Sequence, residues 1–283
     1  MVKISFIILF LSSIVFPLNC YSASGELIEE YSMDLSDSIK YLEEEIQQGQ
    51  NNYRLRFVLG TLYFELGVPK YDKDTKEVTH NLEMLKKARN EFIKVLSLKK
   101  DDSMAYYYLG HLSFLLEQDL NKVTELYKKA IELDRYNLKA YKKLGILYLA
   151  EKQFNNAVLL LETAKTIFHN DADIYHKLAI AYLTTGEHTK AIENAKKALS
   201  IVKNIQTQLV LASAYSITGD YDNAKIQLED ILNSDPKNRT ALLGLSIVFK
   251  KIGKKEKCIE ILKKALEYYP EDSEIKNELD NCK

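Results

Sequence analysis

Tryptophan is absent from this chain of 283 residues, and proline and glycine are scarce, with 4 and 10 copies. Tight turns between β-strands depend on these two residues, so their scarcity disfavours an all-β fold. An excess of either charge is also missing, because 39 Lys and Arg residues balance 40 Asp and Glu residues. A chain this close to neutrality has no general electrostatic attraction to nucleic acid, and we therefore predict no nucleic-acid partner.

Sequence signatures of catalysis and of cofactor binding are lacking too. No two glycines lie close enough together for a phosphate-binding loop, and no two of the 5 histidines have the helical spacing that a zinc site requires. Nucleophilic catalysis would need a cysteine or serine placed beside a histidine, and the sequence indicates no such arrangement. We therefore predict that the chain is not an enzyme and has no catalytic residue, no metal and no cofactor.

The first 19 residues have the pattern of an export signal. Lys3 is followed by an apolar run of about 13 residues, from Ile4 to Phe16, which is shorter than the roughly 20 residues needed to cross a membrane. We predict a signal at residues 1–19 and a tether at 20–34. Three outcomes stay open, and all of them place the folded part outside the cytoplasm. The signal ends before a lipid-bearing Cys20, as in the bacterial lipoproteins that this segment resembles; it is cut after Ser22 or Ser24; or it stays as an anchor.

A repeated pattern of leucine, a small residue and an aromatic or apolar residue runs through the second half of the chain. The small residues follow one another at intervals of 34, 33 and 34 positions, and each is followed twelve positions later by a second small residue. Glycines recur between the two halves of the pattern, at Gly186, Gly219 and Gly253. The leading small residues are Gly145, Ala179, Ala212 and Ser246, and their companions are Ala157, Ala191, Ala224 and Cys258.

This pattern resembles the tetratricopeptide repeat (TPR) in period and in residue size. The resemblance implies an all-α fold, a right-handed superhelical solenoid of antiparallel helix pairs. Two further units open at Leu59-Gly60 and Leu109-Gly110, which gives six units over residues 53–271, with an insertion at about 68–87. We expect half-unit helices to cover the two ends of the stack, at 35–50 and 273–283. Cys258 fits an inert small core position, and a disulfide with Cys282 is the alternative in an oxidising compartment.

The resemblance also implies a groove, lined by the first helix of each pair, that binds a protein or peptide. Aromatic residues occupy the groove positions of the first two units, and lysines follow in the next two, accompanied by Lys143 and Asp173. Aromatics are favoured binding anchors and lysines would attract an acidic segment. The alternative is that the aromatics pack between neighbouring repeats. The predicted partner-binding residues are Phe57, Phe64, Tyr107, Tyr108, His111, Phe114, Lys139, Lys142, His176 and Lys177.

These patterns together predict a non-enzymatic scaffold or adaptor in the bacterial cell envelope. Its partner would be a peptide segment or a protein held in the groove, and its contact with a membrane would come only through lipid on Cys20. The alternative is a structural subunit of an envelope assembly complex, of the kind used in outer-membrane biogenesis or secretion. The lysine and asparagine pair with which cochaperone repeats hold a terminal carboxylate is missing, so we expect a different ligand.

Overall fold

The computed structural model describes residues 35–49, 51–71, 78–79, 81–117 and 119–282. Cys20 and the predicted export signal and tether lie outside these residues. The described part holds fourteen helices and one short β-hairpin. The helices are α1 (Leu35–Gln47), α2 (Tyr53–Gly67), α3 (Leu82–Leu98), α4 (Ser103–Leu116), α5 (Leu120–Leu133), α6 (Leu138–Ala150), α7 (Phe154–Ile167), α8 (Ala172–Thr184), α9 (His188–Ile201), α10 (Ile205–Ile217), α11 (Tyr221–Ser234), α12 (Arg239–Lys251), α13 (Lys255–Tyr268) and α14 (Ser273–Cys282).

Most of these helices begin directly after an Asn or Asp that caps them. The side-chain oxygen of Asn52 accepts hydrogen bonds from the backbone N–H groups of Arg54 and Leu55. Such a bond satisfies an N–H group that has no partner within the helix, and it contributes about 1 kcal/mol per helix. Equivalent caps precede many of the other helices. They are Asn81, Asp102, Asp119, Asn137, Asp171, Asn204, Asp220, Asn238 and Asp272.

The small residues of the repeat lie where the two helices of a pair approach each other. A Cβ atom on Gly110 would lie 2.8 Å from a ring carbon of Tyr127, and one on Gly145 would lie 2.9 Å from Leu161. Both distances are too short for real carbon contacts, so a larger residue at either position would force Tyr127 or Leu161 to shift in the closely packed gap between the helices. The prediction of an all-α fold built from helix pairs is confirmed.

Contacts between Cα atoms divide the chain at Ala140 into two compact units. In the first unit, consecutive helices from α1 to α5 pack on one another around a core that includes the fully buried Phe92 and Leu112. In the second unit, consecutive helices from α7 to α14 pack on one another, around a core that includes Leu242 and Leu262. A single helix pair would leave an apolar face exposed to water, and in each unit the next pair packs against that face.

The insertion in the first pair contains a small antiparallel hairpin, in which β1 (Lys70–Tyr71) pairs with β2 (Val78–Thr79). Helix α3 then begins at Leu82, so residues 82–87 of the predicted insertion extend the second helix of this pair. The chain returns close to its point of departure, because the backbone N–H of Asn81 donates to the carbonyl of Gly67 at 3.1 Å. A Cβ atom on Gly67 would lie 2.8 Å from the backbone nitrogen of Leu85, which explains the glycine.

Helices cover the described ends of the chain. Helix α1 buries Leu42 against the first pair, and the Tyr63 hydroxyl donates a hydrogen bond to Glu43 of α1. Helix α14 buries Ile275 fully, and its last residue, Cys282, forms a disulfide with the buried Cys258 of α13. Of the two alternatives for Cys258, the structure therefore has the disulfide. None of the described helices is both long enough and apolar enough to cross a membrane.

Candidate functional site

Most of the aromatic residues that the sequence places in the groove of the first two repeats contact one another in the structure. We call this group the aromatic cluster; its members are Phe57, Phe64, Phe92, Tyr107, Tyr108 and His111. The Tyr108 ring stacks on Phe92 with 4.7 Å between ring centroids, and it meets Phe57 at 5.8 Å and Phe64 at 5.3 Å edge to face. His111 lies 5.1 Å from Phe64, between ring centroids. Such contacts stabilise the packing between helices α2, α3 and α4, because edge-to-face and stacked rings attract each other beyond their buried area.

Burial divides the members of the aromatic cluster. Phe64 and Tyr107 are each only 7% exposed, whereas Phe57, Tyr108 and His111 keep part of their surface accessible. Packing between repeats, the alternative that the sequence left open, therefore describes Phe64 and Tyr107. Burial also raises the pKa of Tyr108 above its ordinary value. Phe114, on the same helix, is partly buried. As partner-binding residues, the aromatics stay a prediction.

Two of the lysines that the sequence assigns to the groove, Lys142 and Lys177, are engaged in ion pairs. The Lys142 ammonium on α6 lies 2.8 Å from a carboxylate oxygen of Asp171 and 3.6 Å from one of Asp173. Lys177, on α8, is only 5% exposed and pairs with Asp173 one turn earlier on its own helix. Lys139, at the start of α6, is exposed to solvent. Lys142 and Lys177 are thus neutralised by acidic side chains of the protein itself.

Lys143 differs from Lys142 and Lys177 in that no carboxylate pairs with it among the described residues. Its side chain on α6 is partly buried, and within the part of the chain that the structure describes its ammonium has no hydrogen bond and no ion pair. Burial, together with the positive charge of Lys177, lowers the pKa of Lys143 to about 8, and the Asp173 carboxylate opposes this shift. An ammonium group in this situation is still mostly charged at neutral pH, but its charge is poorly compensated.

His176 completes this group of residues. Its Nδ1 atom lies 2.9 Å from the hydroxyl oxygen of Thr207, on helix α10, and Thr207 is only 3% exposed. Burial and the charge of Lys177 lower the pKa of His176 to about 4, against the opposing effect of Asp173. His176 is therefore neutral at pH 7. We call the whole group the charged surface; it comprises Lys142, Lys143, Asp171, Asp173, His176, Lys177 and Thr207.

Two members of the charged surface were missed by the sequence reasoning. Asp171 caps helix α8, and its pairing with Lys142 depends on how closely α6 and α8 pack, which no local pattern specifies. Thr207 lies in the first turn of α10 and meets His176 only because α8 and α10 are neighbours. The charged surface holds the ammonium and carboxylate groups of Lys142, Lys177, Asp171 and Asp173 in fixed positions. No group of three or more His, Cys, Asp or Glu side chains among the described residues could hold a metal ion.

Comparisons with known proteins agree with this fold. Residues 172–283 match the family model described as Psidin, N-terminal TPR repeats region. A segment of 199 residues, 68% of this chain, is 28% identical to the human protein O-mannosyl-transferase TMTC3 but covers only 21% of that protein. The chain spans about a fifth or less of the length of the curated relatives it matches. The match covers too little of TMTC3 for the transferase activity in its name to extend to this chain.

Solved structures resemble the chain over more of its length. The C-terminal part of a TPR repeat-containing protein from Cytophaga hutchinsonii superposes with a TM-score of 0.66 at 18% identity, over 87% of this chain and 94% of that one. YrrB, a TPR protein with an unusual peptide-binding site, superposes with a TM-score of 0.59 at 20% identity, over 67% of this chain and 97% of that one. At these identities the likeness establishes the fold, which is that of the TPR proteins.

Proposed function

We propose that this protein is an exported scaffold of the bacterial cell envelope that binds an extended segment of a partner protein on the first helices of its repeats. The observation that carries this proposal is the charged surface, where side chains from helices α6, α8 and α10 and from the cap of α8 bring fixed charges together on a fold known for protein interaction. The peptide-binding site named for YrrB supports the same use of the fold.

The energetic demand of such binding is modest. Micromolar affinity corresponds to about −8 kcal/mol, which a few well-placed anchors supply when the receptor is already ordered. Helix pairs that pack on one another around a buried core give this order, because the groove side chains are held by packing before a ligand arrives. The Cys258–Cys282 disulfide supports the proposed export, since disulfides persist in oxidising compartments outside the cytoplasm.

Site-specific photo-crosslinking in living cells tests the proposal. Replacing Phe57 or Tyr107 would disturb the aromatic cluster, so a photoreactive amino acid at an exposed groove position is the cleaner probe. In the first unit, Val58 on α2 is 44% exposed, and Ile93 on α3, a second helix, is 49% exposed and serves as control. In the second unit, Ile247 on α12 is 43% exposed, with Ile226 on α11, 53% exposed, as its control.

We expect one partner segment to be captured from the groove positions and not from the controls, with its sequence read by mass spectrometry of the cross-linked peptide. Adducts that form equally at Ile93 and Ile226, or at none of the four positions, would contradict binding on the first helices. Capture of several large envelope proteins at the groove positions, each through a folded surface, would instead support the assembly-complex alternative.

A further inference from the structure

We propose that the charged surface is a subsite for one carboxylate group of an acidic peptide segment, and that Lys143 is the residue that receives it. This inference rests on the proposed function, because it names the chemistry of the segment that the groove would hold. Lys143 carries the argument, since its ammonium is partly buried and forms no ion pair with any residue that the structure describes. Withdrawing a cation from water without a counter-ion is unfavourable, so a bound anion would be stabilised there.

The neighbouring charges show what kind of anion fits. Lys142 and Lys177 are held by Asp171 and Asp173, and His176 is neutral. Three ammonium groups thus face two carboxylates, which leaves one positive charge uncompensated. A single carboxylate neutralises that charge. A phosphate dianion would overcompensate it and would meet repulsion from Asp171 and Asp173, so the surface favours the side chain of Glu or Asp over a phosphorylated residue.

The protein can hold this arrangement without a ligand, because the ion pairs are fixed by the fold. Asp171 is tied down by its hydrogen bonds to the first turn of α8, with its Oδ1 accepting from the backbone N–H of Asp173 and of Ile174 at 3.1 Å each. Asp171 and Asp173 therefore stay paired with Lys142 and Lys177 and do not form ion pairs with Lys143. A ligand carboxylate can reach the Lys143 ammonium without breaking an ion pair of the protein.

The subsite also predicts a dependence on pH with a definite direction. Binding needs the charged form of Lys143, and because its pKa is about 8, about half of the molecules have lost this proton at pH 8. The preference for a carboxylate is therefore present at pH 7 and lost as the pH rises toward 9.5, by roughly tenfold or more. The other titratable groups near Lys143 are Lys142 on its own helix, and Asp171, Asp173, His176 and Lys177 on α8 and at its cap; of these, His176 is neutral at pH 7. Lys143→Arg keeps the charge at all these pH values and isolates the contribution of Lys143.

The minimal probe is acetate, with chloride and phosphate at equal ionic strength as controls. The full chain is labelled with ¹³C at lysine, and the Lys143 Cε resonance, assigned by its loss in Lys143→Met, is followed by NMR. We expect acetate to shift this resonance saturably and to raise the pKa of Lys143, whereas chloride leaves both unchanged. Lys143→Met is expected to fold, because methionine has a similar length and removes a partly buried charge; circular dichroism checks this.

The peptide probe is a set of three decapeptide libraries with glutamate, glutamine or phosphoserine at the centre and uncharged residues elsewhere. By fluorescence polarisation, we expect the glutamate library to bind about tenfold more tightly than the glutamine library. Lys143→Met should remove this preference, and Lys264→Met, the same change at an exposed site on α13, should keep it. In Lys143→Arg the preference should persist at pH 9.5.

Failure of this inference and failure of the proposed function give different results. Equal binding of the glutamate and glutamine libraries, a preference for phosphoserine, or a preference that survives in Lys143→Met would overturn the carboxylate subsite and leave the scaffold proposal in place. Titration of Lys143 by acetate without binding of any peptide would support the subsite and overturn peptide binding. Absence of both effects would overturn both proposals.

Discussion

Burial controls the protonation of single side chains on the charged surface. His176 has its pKa lowered to about 4, so the folded protein holds it neutral at pH 7. Lys143 has its pKa lowered to about 8 by the same cause. In both residues the fold disfavours the charged form. For Lys143 this condition continues at neutral pH, and a residue kept in an unfavourable state at the expense of stability is often one that binds a ligand.

The stability of the protein should fall in acid partly through His176. A histidine whose folded pKa lies below its ordinary value of about 6.5 contributes stability that is fully present above pH 6.5 and is lost as the pH falls toward 4. From the two pKa values we expect a loss on the order of 2 to 3 kcal/mol at pH 4. His176→Gln retains a group that can hydrogen-bond to Thr207 but does not titrate, so its profile should be flatter in this range.

Urea unfolding at pH 4.5 and pH 7.5 measures the effect. His169→Gln, a change at an exposed histidine just before α8, serves as the matched control and should keep the wild-type profile. If His176→Gln loses as much stability between these two pH values as the wild-type protein does, burial of His176 does not control its protonation in the way described here.

The turns within the last four helix pairs share one backbone conformation, and in one of these turns a residue other than glycine adopts it. Gly186, Gly219 and Gly253 have φ angles of 83°, 81° and 73°, and Lys152, at the equivalent place between α6 and α7, has a φ of 59°. A residue with a side chain pays about 1 kcal/mol or more in this left-handed region, whereas glycine does not.

Lys152→Gly should therefore stabilise the protein, by about 0.5 to 1 kcal/mol after allowance for the greater freedom of glycine in the unfolded chain. The measurement is the midpoint of urea unfolding at pH 7. The matched reverse change, Gly219→Lys, should destabilise by a similar or larger amount. A lower midpoint for Lys152→Gly would mean that the lysine side chain contributes contacts that outweigh the backbone preference.

Sequence predicts the helix pairs well and their lateral contacts poorly. The small residues at Gly110 and Gly145 mark where two helices touch, because steric fit is a local requirement that repeats with the unit. The hairpin of β1 and β2 carries no such signal, since two-residue strands are too short for an alternating pattern. The ion pair of Lys142 with Asp171 joins α6 to the cap of α8, and which charges meet there depends on packing between units of the repeat.

On the scale of the whole molecule, the two compact units carry different chemistry. The first holds the aromatic cluster, in which Tyr107 and Phe64 are buried and Phe57, Tyr108 and His111 are partly exposed. The second holds the charged surface and, at its far helix, the disulfide between Cys258 and Cys282. The second unit, with its uncompensated charge, is thus the better candidate for recognising a partner. The disulfide in the same unit favours an oxidising compartment as the place where the partner binds.

The compartment of the protein is the last prediction, and the mass of the native protein decides it. Export predicts that Cys258 and Cys282 resist alkylation until the protein is denatured and reduced, because the oxidising compartment keeps their disulfide intact. It also allows three N-termini, which are a lipid-bearing Cys20, an unmodified Ala23 or Gly25, and the unprocessed chain if the signal stays as an anchor. Alkylation of Cys258 and Cys282 in the native protein before any reduction would contradict export. A lipid mass on Cys20 would in addition show that the protein is attached to a membrane, which would restrict its partners to those that reach that membrane.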